Sequence, residues 1–512
     1  MESNGETMDK IKSKKIRNTL YFLMPIIVPL LFVNFSVDSD TYWIIKTGEY
    51  ICNNGIPTKD FLTMHSNMDL VVQQWLSDII FYKLYSALGV IGLSFIVIVM
   101  YIAFSLLLYK FCTMMTNRRL VTTLVTLIAN AYMIALCMVP RPQIFTYCII
   151  LIELIMLESY VRSGNFKYLI VLPFLSVLTV NLHASMWTML FIMMLPYFAN
   201  ALPIKIKGKS ISCAKILPLI ITAVAMGVCG LITPYGYKGL TFIFTASVGN
   251  KVNDFIIELQ PLKLSMSFNG FGTFCIVLAV AAVYVFHKKG KTNLRFALLT
   301  LGTGAMAMMY MKLIPYFIIA AYPTMLYYLD NADFKKLTLS KKNEKSESKK
   351  SSKIFLCVLV GLLIAIYGYA IVDNTAKFVD YVQTNGANEE TEELDTAVEV
   401  IENDSKKSGT DIVLFNGFNS GGYLEFKGYK TYIDARADSF VVEANHDFDY
   451  MTEYYNILRG KSYYKDFLNK YKFTYLIIEK GVEVPLYISV NHDSDYEKIS
   501  DGTDYAVFKL VE

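Results

Sequence analysis

Apolar residues in this chain gather in repeated runs of about 16–22 residues, the length that an α-helix needs to cross the hydrocarbon core of a bilayer. More polar connections, most of them short, separate the runs as far as residue 372. The pattern predicts an α-helical polytopic membrane protein with eleven transmembrane helices, at 19–36, 89–109, 121–138, 143–160, 168–181, 184–200, 216–233, 270–287, 296–311, 314–329 and 354–372.

Lysine and arginine collect in alternate connections, among them the N-terminus 1–18 and the linker 330–353. Because short cytoplasmic loops carry such an excess, the bias predicts a cytoplasmic N-terminus and linker in a plasma-membrane protein. Two large segments then fall on the outer side: the loop 37–88 and the C-terminal region 373–512. We call the first of these the outer loop.

The region 373–512 has a different pattern, with short β-type runs such as FTYLIIEK and DYAVFKL among helical stretches such as NEETEELDTAVEVIEND. It predicts a small extracytoplasmic α/β domain that follows the transmembrane domain 19–372. Within it, SGGYLEF and TYIDARADSF are typical of paired strands joined by a turn. An ion pair between Asp434 and Arg436 is expected there, and a role in acceptor binding is the alternative.

Composition agrees with a membrane protein, since 54% of the residues are hydrophobic, 18% are charged and the mean hydropathy is +0.39. The net charge of +4 is small and unevenly spread, so it does not indicate a nucleic-acid partner. The eight cysteines show no CxxC spacing, so neither a disulfide framework nor a zinc site is indicated.

Polar clusters lie at the predicted outer ends of five spans, in SVDSD (36–40), MVPRPQ (138–143), VNLHASMW (180–187), ITPYG (232–236) and MYMKLIPY (309–316). Charge and irregular backbone at that depth are tolerated where they line a wet cavity enclosed by protein. The clusters therefore predict a polar cavity at the outer leaflet, covered by the outer loop.

Each polar residue also has a structural interpretation. Asp38 and Asp40 precede a predicted helix near Thr41, and the charge pattern alone favours helix capping over catalysis for them. Arg141, between two prolines, is typical of an anchor to lipid headgroups.

The remaining candidates have similar alternatives. His183 beside Asn181 is, taken alone, typical of a hydrogen-bonded packing histidine. Lys312 has the position of a lysine that snorkels to the interface. Tyr235 and Trp187 are typical of the aromatic belt.

The order of these motifs resembles the GT-C superfamily of polytopic glycosyltransferases, which take sugar from polyprenyl-phosphate or polyprenyl-diphosphate donors. The likeness extends from residue 36 to 440 and covers VDSDTYWIIKTGEYICNNGIPTKDFLT, VVQQWLSDIIFYKLY, PRPQIFTY, NLHASMW, TPYG and FNSGGYLEFKGYKTYIDARADSF. It is to a bacterial group that tends to carry histidine and tryptophan in the later part of the outer loop. This chain has Gln73, Gln74 and Trp75 there, so the tryptophan is present and the histidine is not, although His65 lies earlier in the loop.

The resemblance implies an inverting transfer of sugar from a polyprenyl-phosphate donor to a glycan, polymer or protein acceptor at the outer face of the membrane. Asp38 or Asp40 would be the catalytic carboxylate, acting as a base or holding Mg²⁺ or Mn²⁺, although two carboxylates alone do not define a metal site. The residues expected to bind donor phosphate or sugar are Gln74, Trp75, Arg141, Asn181, His183, Tyr235 and Lys312.

Two other functions remain open from the sequence. One is a transporter or flippase for a lipid-linked or anionic substrate, and the other is a non-catalytic relative in an envelope-assembly complex. Transporters usually place charges near the midplane and often carry internal repeats, whereas the polar clusters here lie at one face.

Overall fold

The computed structural model describes residues 2–203, 205–206, 209–210, 214–245, 256–262, 279, 281, 283, 293–330 and 368–511. The predicted spans 270–287 and 354–372 and the predicted linker 330–353 lie wholly or largely outside these residues.

The chain up to residue 330 is built from helices. In order, they are α1 (Glu2–Ile27), α2 (Ser39–Asn54), α3 (Trp75–Leu88), α4 (Val90–Met115), α5 (Arg119–Leu136), α6 (Gln143–Ser163), α7 (Val171–Leu182), α8 (Trp187–Ala201), α9 (Ile216–Cys229), α10 (Tyr237–Thr245), α11 (Leu294–Met309) and α12 (Ile314–Asp330). Single turns of 3₁₀-helix occur at Val28–Phe32, Phe166–Ile170, Ala184–Met186, Ile257–Leu259 and Met311–Leu313. Two strands of two residues each, β1 (Lys205–Ile206) and β2 (Lys209–Ser210), pair in the antiparallel sense.

Within the described residues, five helices are long and apolar enough to cross a membrane: Lys15–Phe32, Val90–Met115, Arg119–Leu136, Gln143–Ser163 and Ala184–Ala201. They coincide with five of the predicted spans, which confirms a helical membrane protein. Shorter helices occupy four further predicted spans, namely Phe166–Leu182, Ile216–Cys229, Leu294–Met309 and Ile314–Asp330. The total of eleven spans and the orientation stay predictions.

The C-terminal region begins with α13 (368–383) and folds into a helix-covered sheet. Its other helices are α14 (Glu389–Ser408), α15 (Phe418–Phe426), α16 (Val442–Asn445), α17 (Tyr450–Leu458), α18 (Tyr464–Tyr471) and α19 (Val484–Asn491), with a 3₁₀ turn at Ala437–Ser439. The strands are β3 (Leu414–Phe415), β4 (Tyr475–Glu479), β5 (Tyr496–Asp501) and β6 (Tyr505–Leu510), in the order β3-β4-β6-β5. β3 and β4 are parallel, and the other pairs are antiparallel, with Ile477 opposite Val507.

The predicted strand pair in this domain is wrong, because SGGYLEF lies in helix α15 and residues 430–436 form no strand beyond an isolated bridge at Thr431. Two glycines allow this helix to pack closely against its neighbours. A Cβ on Gly421 would lie 2.2 Å from the carbonyl oxygen of Ile433, and one on Gly422 would lie 2.3 Å from that of Ser39. The close approach on both sides lets α15 pack tightly, so tertiary contacts override the β propensity of its aromatic residues.

The outer loop packs directly against the C-terminal domain. Met68 is fully buried in the core of that domain. The backbone N–H of Met64 donates to the carbonyl of Thr431 at 2.9 Å, and the ring of His65 stacks on Tyr450 with the ring centroids 3.7 Å apart. These two segments, which residues 89–372 separate in the sequence, therefore form one layer.

A buried ion cluster joins the same two segments. Arg436 pairs with Asp434 at 2.5 Å, as the sequence predicts, and also with Asp60 of the outer loop at 2.7 Å. Burial favours the neutral form of Asp60, but the Arg436 guanidinium overcomes this and holds the pKa of that carboxyl below its usual value. Arg436 and the carboxyl groups of Asp434 and Asp60 are thus buried together and depend on one another.

Replacing Arg436 by methionine is expected to destabilise the outer layer by about 3–5 kcal/mol, because it leaves two buried carboxylates without their cation. Thermal unfolding of the purified protein in detergent measures the effect. Lys406→Gln is the matched control, since its partner Glu402 is at the surface and an exposed pair contributes less than about 1 kcal/mol. Equal losses for the two variants would contradict the proposed role of Arg436.

Candidate functional site

The aspartate pair sits where the chain leaves the first span and begins α2. Asp38 has an extended backbone and caps the helix, its Oδ1 accepting from the backbone N–H of Thr41 at 2.9 Å. Capping is favourable because a carboxylate satisfies one of the free N–H groups of the first turn. The structural interpretation of Asp38 is therefore confirmed.

Arg141 bonds both aspartates. Its Nε lies 2.7 Å from Oδ2 of Asp38, and its Nη1 lies 2.8 Å from Oδ2 of Asp40. The prolines on either side keep the residue out of the helices that precede and follow it, in the turn between α5 and α6. Nearby carboxylates raise the pKa of Arg141, so it stays fully charged although burial opposes this.

Asp40 differs from Asp38 in its surroundings. Burial is the main reason that the pKa of Asp40 rises to about 6; Arg141 lowers it, and the charge on Asp38 raises it. Its Oδ1 accepts a hydrogen bond of 3.2 Å from the indole N–H of Trp43. A carboxyl with this pKa is available at neutral pH to accept a proton, which suits a general base.

Asp40 lines a cavity of about 630 Å³ between the membrane bundle and the outer layer, which we call the outer cavity. The bundle side contributes Arg141, Ser185 and Lys312. The outer loop contributes α2 and the segment that precedes α3, and the C-terminal domain contributes the 3₁₀ turn Ala437–Ser439 together with residues of α15 and α17.

A second cavity of about 520 Å³, the inner cavity, lies among α5, α6 and α12 of the bundle. Its lining is mostly apolar or aromatic and includes Tyr132, Tyr147 and Tyr316. Leu136, which also lines it, is 48% exposed, and the inner cavity is open rather than enclosed.

The two cavities share four lining residues: Arg141, Ser185, Glu258 and Lys312. They therefore meet at a junction that carries two cations and one carboxylate. Burial lowers the pKa of Lys312, while the charges of Asp438 and Glu258 act in the opposite direction. Burial also raises the pKa of Asp438, and the charge of Lys312 acts in the opposite direction. Both residues line the outer cavity.

The structure brings together most of the residues that the sequence singles out. Asp40, Arg141, Lys312 and Gln74 line the outer cavity, and His183 lines the inner one. The His183 ring is hydrogen-bonded through Nδ1 to the hydroxyl of Thr146 at 2.8 Å, which orients it. The predicted polar cavity beneath the outer loop is thus present.

Three predicted donor-binding residues lie elsewhere and use their polar atoms within the protein. The indole of Trp75 donates to Oδ1 of Asn181 at 2.8 Å, and the amide of Asn181 donates to the carbonyl of Ile232 at 2.8 Å. The hydroxyl of Tyr235 donates to the carbonyl of Pro57 at 2.8 Å. They tie the outer loop to the ends of α7 and α9, which is a positioning role.

Sequence reasoning did not single out five residues that line the outer cavity: Thr47, Gln73, Ser185, Glu258 and Asp438. Asp438 could have been predicted from the sequence, because it follows Arg436 by two residues in the motif TYIDARADSF. Thr47 lies on α2, two turns after the aspartate pair, so helical spacing also indicates it. The isolated Glu258 carries no local signal in the sequence.

Binding of Mg²⁺ or Mn²⁺ by the aspartate pair stays a prediction, and protein groups already contact all four carboxylate oxygens. The oxygens of Asp38 accept from Thr41 and Arg141, and those of Asp40 accept from Trp43 and Arg141. A cation here would compete with the Arg141 guanidinium, which already supplies positive charge.

Comparison of the chain with protein-family models gives no match, and comparison with curated proteins gives none either. Function is therefore inferred from the site itself.

Proposed function

We propose that the protein is a membrane glycosyltransferase that moves a sugar from a polyprenyl-phosphate donor to a hydroxyl of a cell-envelope acceptor. The observation that carries this is the junction of the two cavities, with Arg141 and Lys312 at the point where they meet and Asp40 beside Arg141. An open and mostly apolar cavity suits an isoprenoid chain, and a more polar one suits a sugar and its acceptor.

The proposed reaction needs only groups that the chain supplies. Asp40 accepts the proton of the acceptor hydroxyl as its oxygen forms a bond to the anomeric carbon. The bond from that carbon to the phosphate oxygen breaks, and its electron pair leaves with the phosphate. Arg141 and Lys312 stabilise the charge that develops on the phosphate, and a single displacement of this kind inverts the anomeric centre.

Two observations favour Asp40 over Asp38 as the base. Asp40 lines the outer cavity, whereas Asp38 uses one oxygen to cap α2 and the other to hold Arg141. The second is that burial raises the pKa of Asp40 to about 6, which makes its carboxylate a stronger base than an ordinary aspartate. Asp38 then positions Arg141 for its contact with the donor phosphate.

Reconstitution into proteoliposomes tests the proposal. The protein is supplied with polyprenyl-phosphate donors carrying radiolabelled hexose, N-acetylhexosamine or pentose, together with an extract of envelope glycans. The proposal expects label in the glycan fraction. Movement of labelled lipid across the bilayer with no transfer would instead indicate a flippase. If well-expressed protein shows neither transfer nor lipid movement, a non-catalytic role is indicated.

The rate of transfer is expected to rise with pH and to reach a plateau above an apparent pKa near 6. The sign follows from the role of Asp40, because a base must be ionised and this carboxyl loses its proton as the pH passes through its pKa of about 6. Initial rates at saturating donor, measured between pH 4.5 and 8, give this rise, which we call the acid limb of the pH profile. A profile that is flat over this range would remove Asp40 as the base.

A further inference from the structure

We propose that helix α15 of the C-terminal domain positions the proposed base, because Gly422 and Ser39 fix the start of α2 and thereby the contact of Asp40 with Arg141. The identity of the base rests on the proposed function, but the geometry that Gly422 controls can be measured without any transfer. Gly422 and Ser39 are thus positioning residues that act through Asp40.

The first observation is that α15 and the start of α2 are in contact backbone to backbone. A Cβ on Gly422 would lie 2.3 Å from the carbonyl oxygen of Ser39 and 3.1 Å from its Oγ. The hydroxyl of Ser39 donates to the carbonyl of Asn419 at 2.7 Å. Ser39 stands directly before Asp40, and both line the outer cavity. The contact therefore lies one residue from the carboxyl that is proposed as the base.

Aromatic side chains extend this contact along the first turn of α2. The buried ring of Tyr42 lies edge-on to Tyr423, with the ring centroids 4.9 Å apart, and its centroid is 5.3 Å from that of Phe426. Tyr42 follows Asp40 by two residues, so the two side chains leave α2 on nearly opposite sides. α15 thus holds the side of α2 that faces away from Asp40.

The opposite side of α15 is packed just as closely within the C-terminal domain. A Cβ on Gly421 would lie 2.2 Å from the carbonyl oxygen of Ile433. The side-chain amide of Asn419 also donates to Oε2 of Glu479 in β4 at 3.0 Å. Because α15 has no space to retreat, a side chain at the position of Gly422 would have to displace the start of α2.

A displaced α2 would separate the proposed base from its arginine. Residues 33–38, which precede α2, form neither helix nor strand, so the start of this helix can yield. Arg141 belongs to the turn between α5 and α6, and its Nη1 lies 2.8 Å from Oδ2 of Asp40. A shift on the order of 1 Å is enough to take this bond beyond hydrogen-bond range.

Gly422→Ala is expected to lower kcat for sugar transfer about 10–100-fold, since a misplacement on the order of 1 Å can reduce a rate by about 100-fold. The KM for the donor should stay within about twofold of the wild type, because the change acts on the reacting group. Initial rates of label transfer in proteoliposomes, measured at increasing donor concentration, give both constants.

Gly481→Ala is the matched control, because it makes the same change in the same domain. Among the described residues, no atom lies within 4 Å of a Cβ at this position, and its backbone is not left-handed. This variant should transfer sugar with the kcat of the wild type.

A double variant tests whether Gly422 acts through Asp40. In the Asp40→Asn background, Gly422→Ala should lower the residual rate by less than about twofold, because the group that it positions is already lost. Ser39→Ala provides a second route, since it removes the hydrogen bond to α15 without adding volume. It should lower kcat about two- to tenfold, the effect expected of one hydrogen bond.

Trp43 reports on the proposed base without any transfer, because its indole N–H donates to Oδ1 of Asp40. Tryptophan fluorescence of the full chain in nanodiscs is measured against pH, and the transition that disappears in Trp43→Phe belongs to this residue. Burial raises the pKa of Asp40 to about 6 and Arg141 lowers it. A looser contact with Arg141 should therefore move the midpoint to higher pH in Gly422→Ala and leave it unchanged in Gly481→Ala.

The positioning role is overturned if Gly422→Ala and Gly481→Ala have the same kcat and the same fluorescence midpoint. It is also overturned if Gly422→Ala lowers the rate by the same factor with and without Asp40→Asn, since that indicates a general loss of structure. If Gly422→Ala does not fold, the same comparisons are made with Ser39→Ala. A shifted midpoint in protein that transfers nothing would keep the positioning role and refute the proposed transferase.

Discussion

Asp40→Asn is expected to lower the rate of sugar transfer by about 10²–10⁴-fold, the range typical of losing a general base. The amide keeps the size of the side chain and can still accept from Trp43, so folding and donor binding should change little. Transfer of radiolabel in proteoliposomes gives the rate, and the thermal unfolding temperature reports the fold. The acid limb of the pH profile should disappear together with the activity.

Asp38→Asn is the matched control for this variant. Asparagine caps helices about as well as aspartate, so α2 should still begin at Ser39. The variant weakens the hold on Arg141 without removing the proposed base, and the loss of transfer should be smaller than for Asp40→Asn. A larger loss of transfer in Asp38→Asn than in Asp40→Asn would assign the base to Asp38. It would refute the preference for Asp40 that rests on burial and the cavity lining.

Arg141→Gln is expected to reduce transfer by about 10²–10³-fold, by analogy with removal of one donor that stabilises developing negative charge. It should also move the acid limb to higher pH, because Arg141 lowers the pKa of Asp40 and the charge of Asp38 raises it. Once the guanidinium is gone, the two carboxylates face each other and the proton is held more tightly. The pH profile therefore separates an effect on Asp40 from simple loss of substrate binding.

Arg141→Lys should rescue little of the activity. One guanidinium directs Nε to Asp38 and Nη1 to Asp40, and the single ammonium of lysine cannot reproduce that fork. Lys46→Gln controls for net charge, because it removes a cation that lies on the same helix as Asp40 and pairs with Glu49. This variant should transfer sugar at the normal rate. Full activity in Arg141→Lys would show that only a positive charge is needed at this position.

Much of the site was accessible to sequence reasoning, because several of its signals are local. The position of Asp38 before a helix predicts its capping role, and the arginine between two prolines stands out at the end of an apolar run. The ion pair of Asp434 with Arg436 is likewise a contact between near neighbours. Each depends on residues within a few positions, where the geometry of helices and turns is known.

Other features could not be obtained in this way. The Arg141–Asp38 bond joins residues 103 positions apart, and the Trp75–Asn181 bond spans 106. The latter directs two predicted sugar-binding side chains to each other and away from the outer cavity. The cavity itself needs the C-terminal domain, whose Asp438 lines it together with Lys312 of the bundle.

By itself, the sequence determined that this is a helical membrane protein, that polar groups gather at the ends of its helices, and that β4 and β6 are strands, because hydrophobic periodicity acts over a single element. The tertiary structure alone decided that SGGYLEF is a helix, that Asp40 faces a cavity while Asp38 does not, and that the outer loop and C-terminal domain enclose that cavity together. These depend on how closely distant segments pack, and local patterns carry no information about that distance.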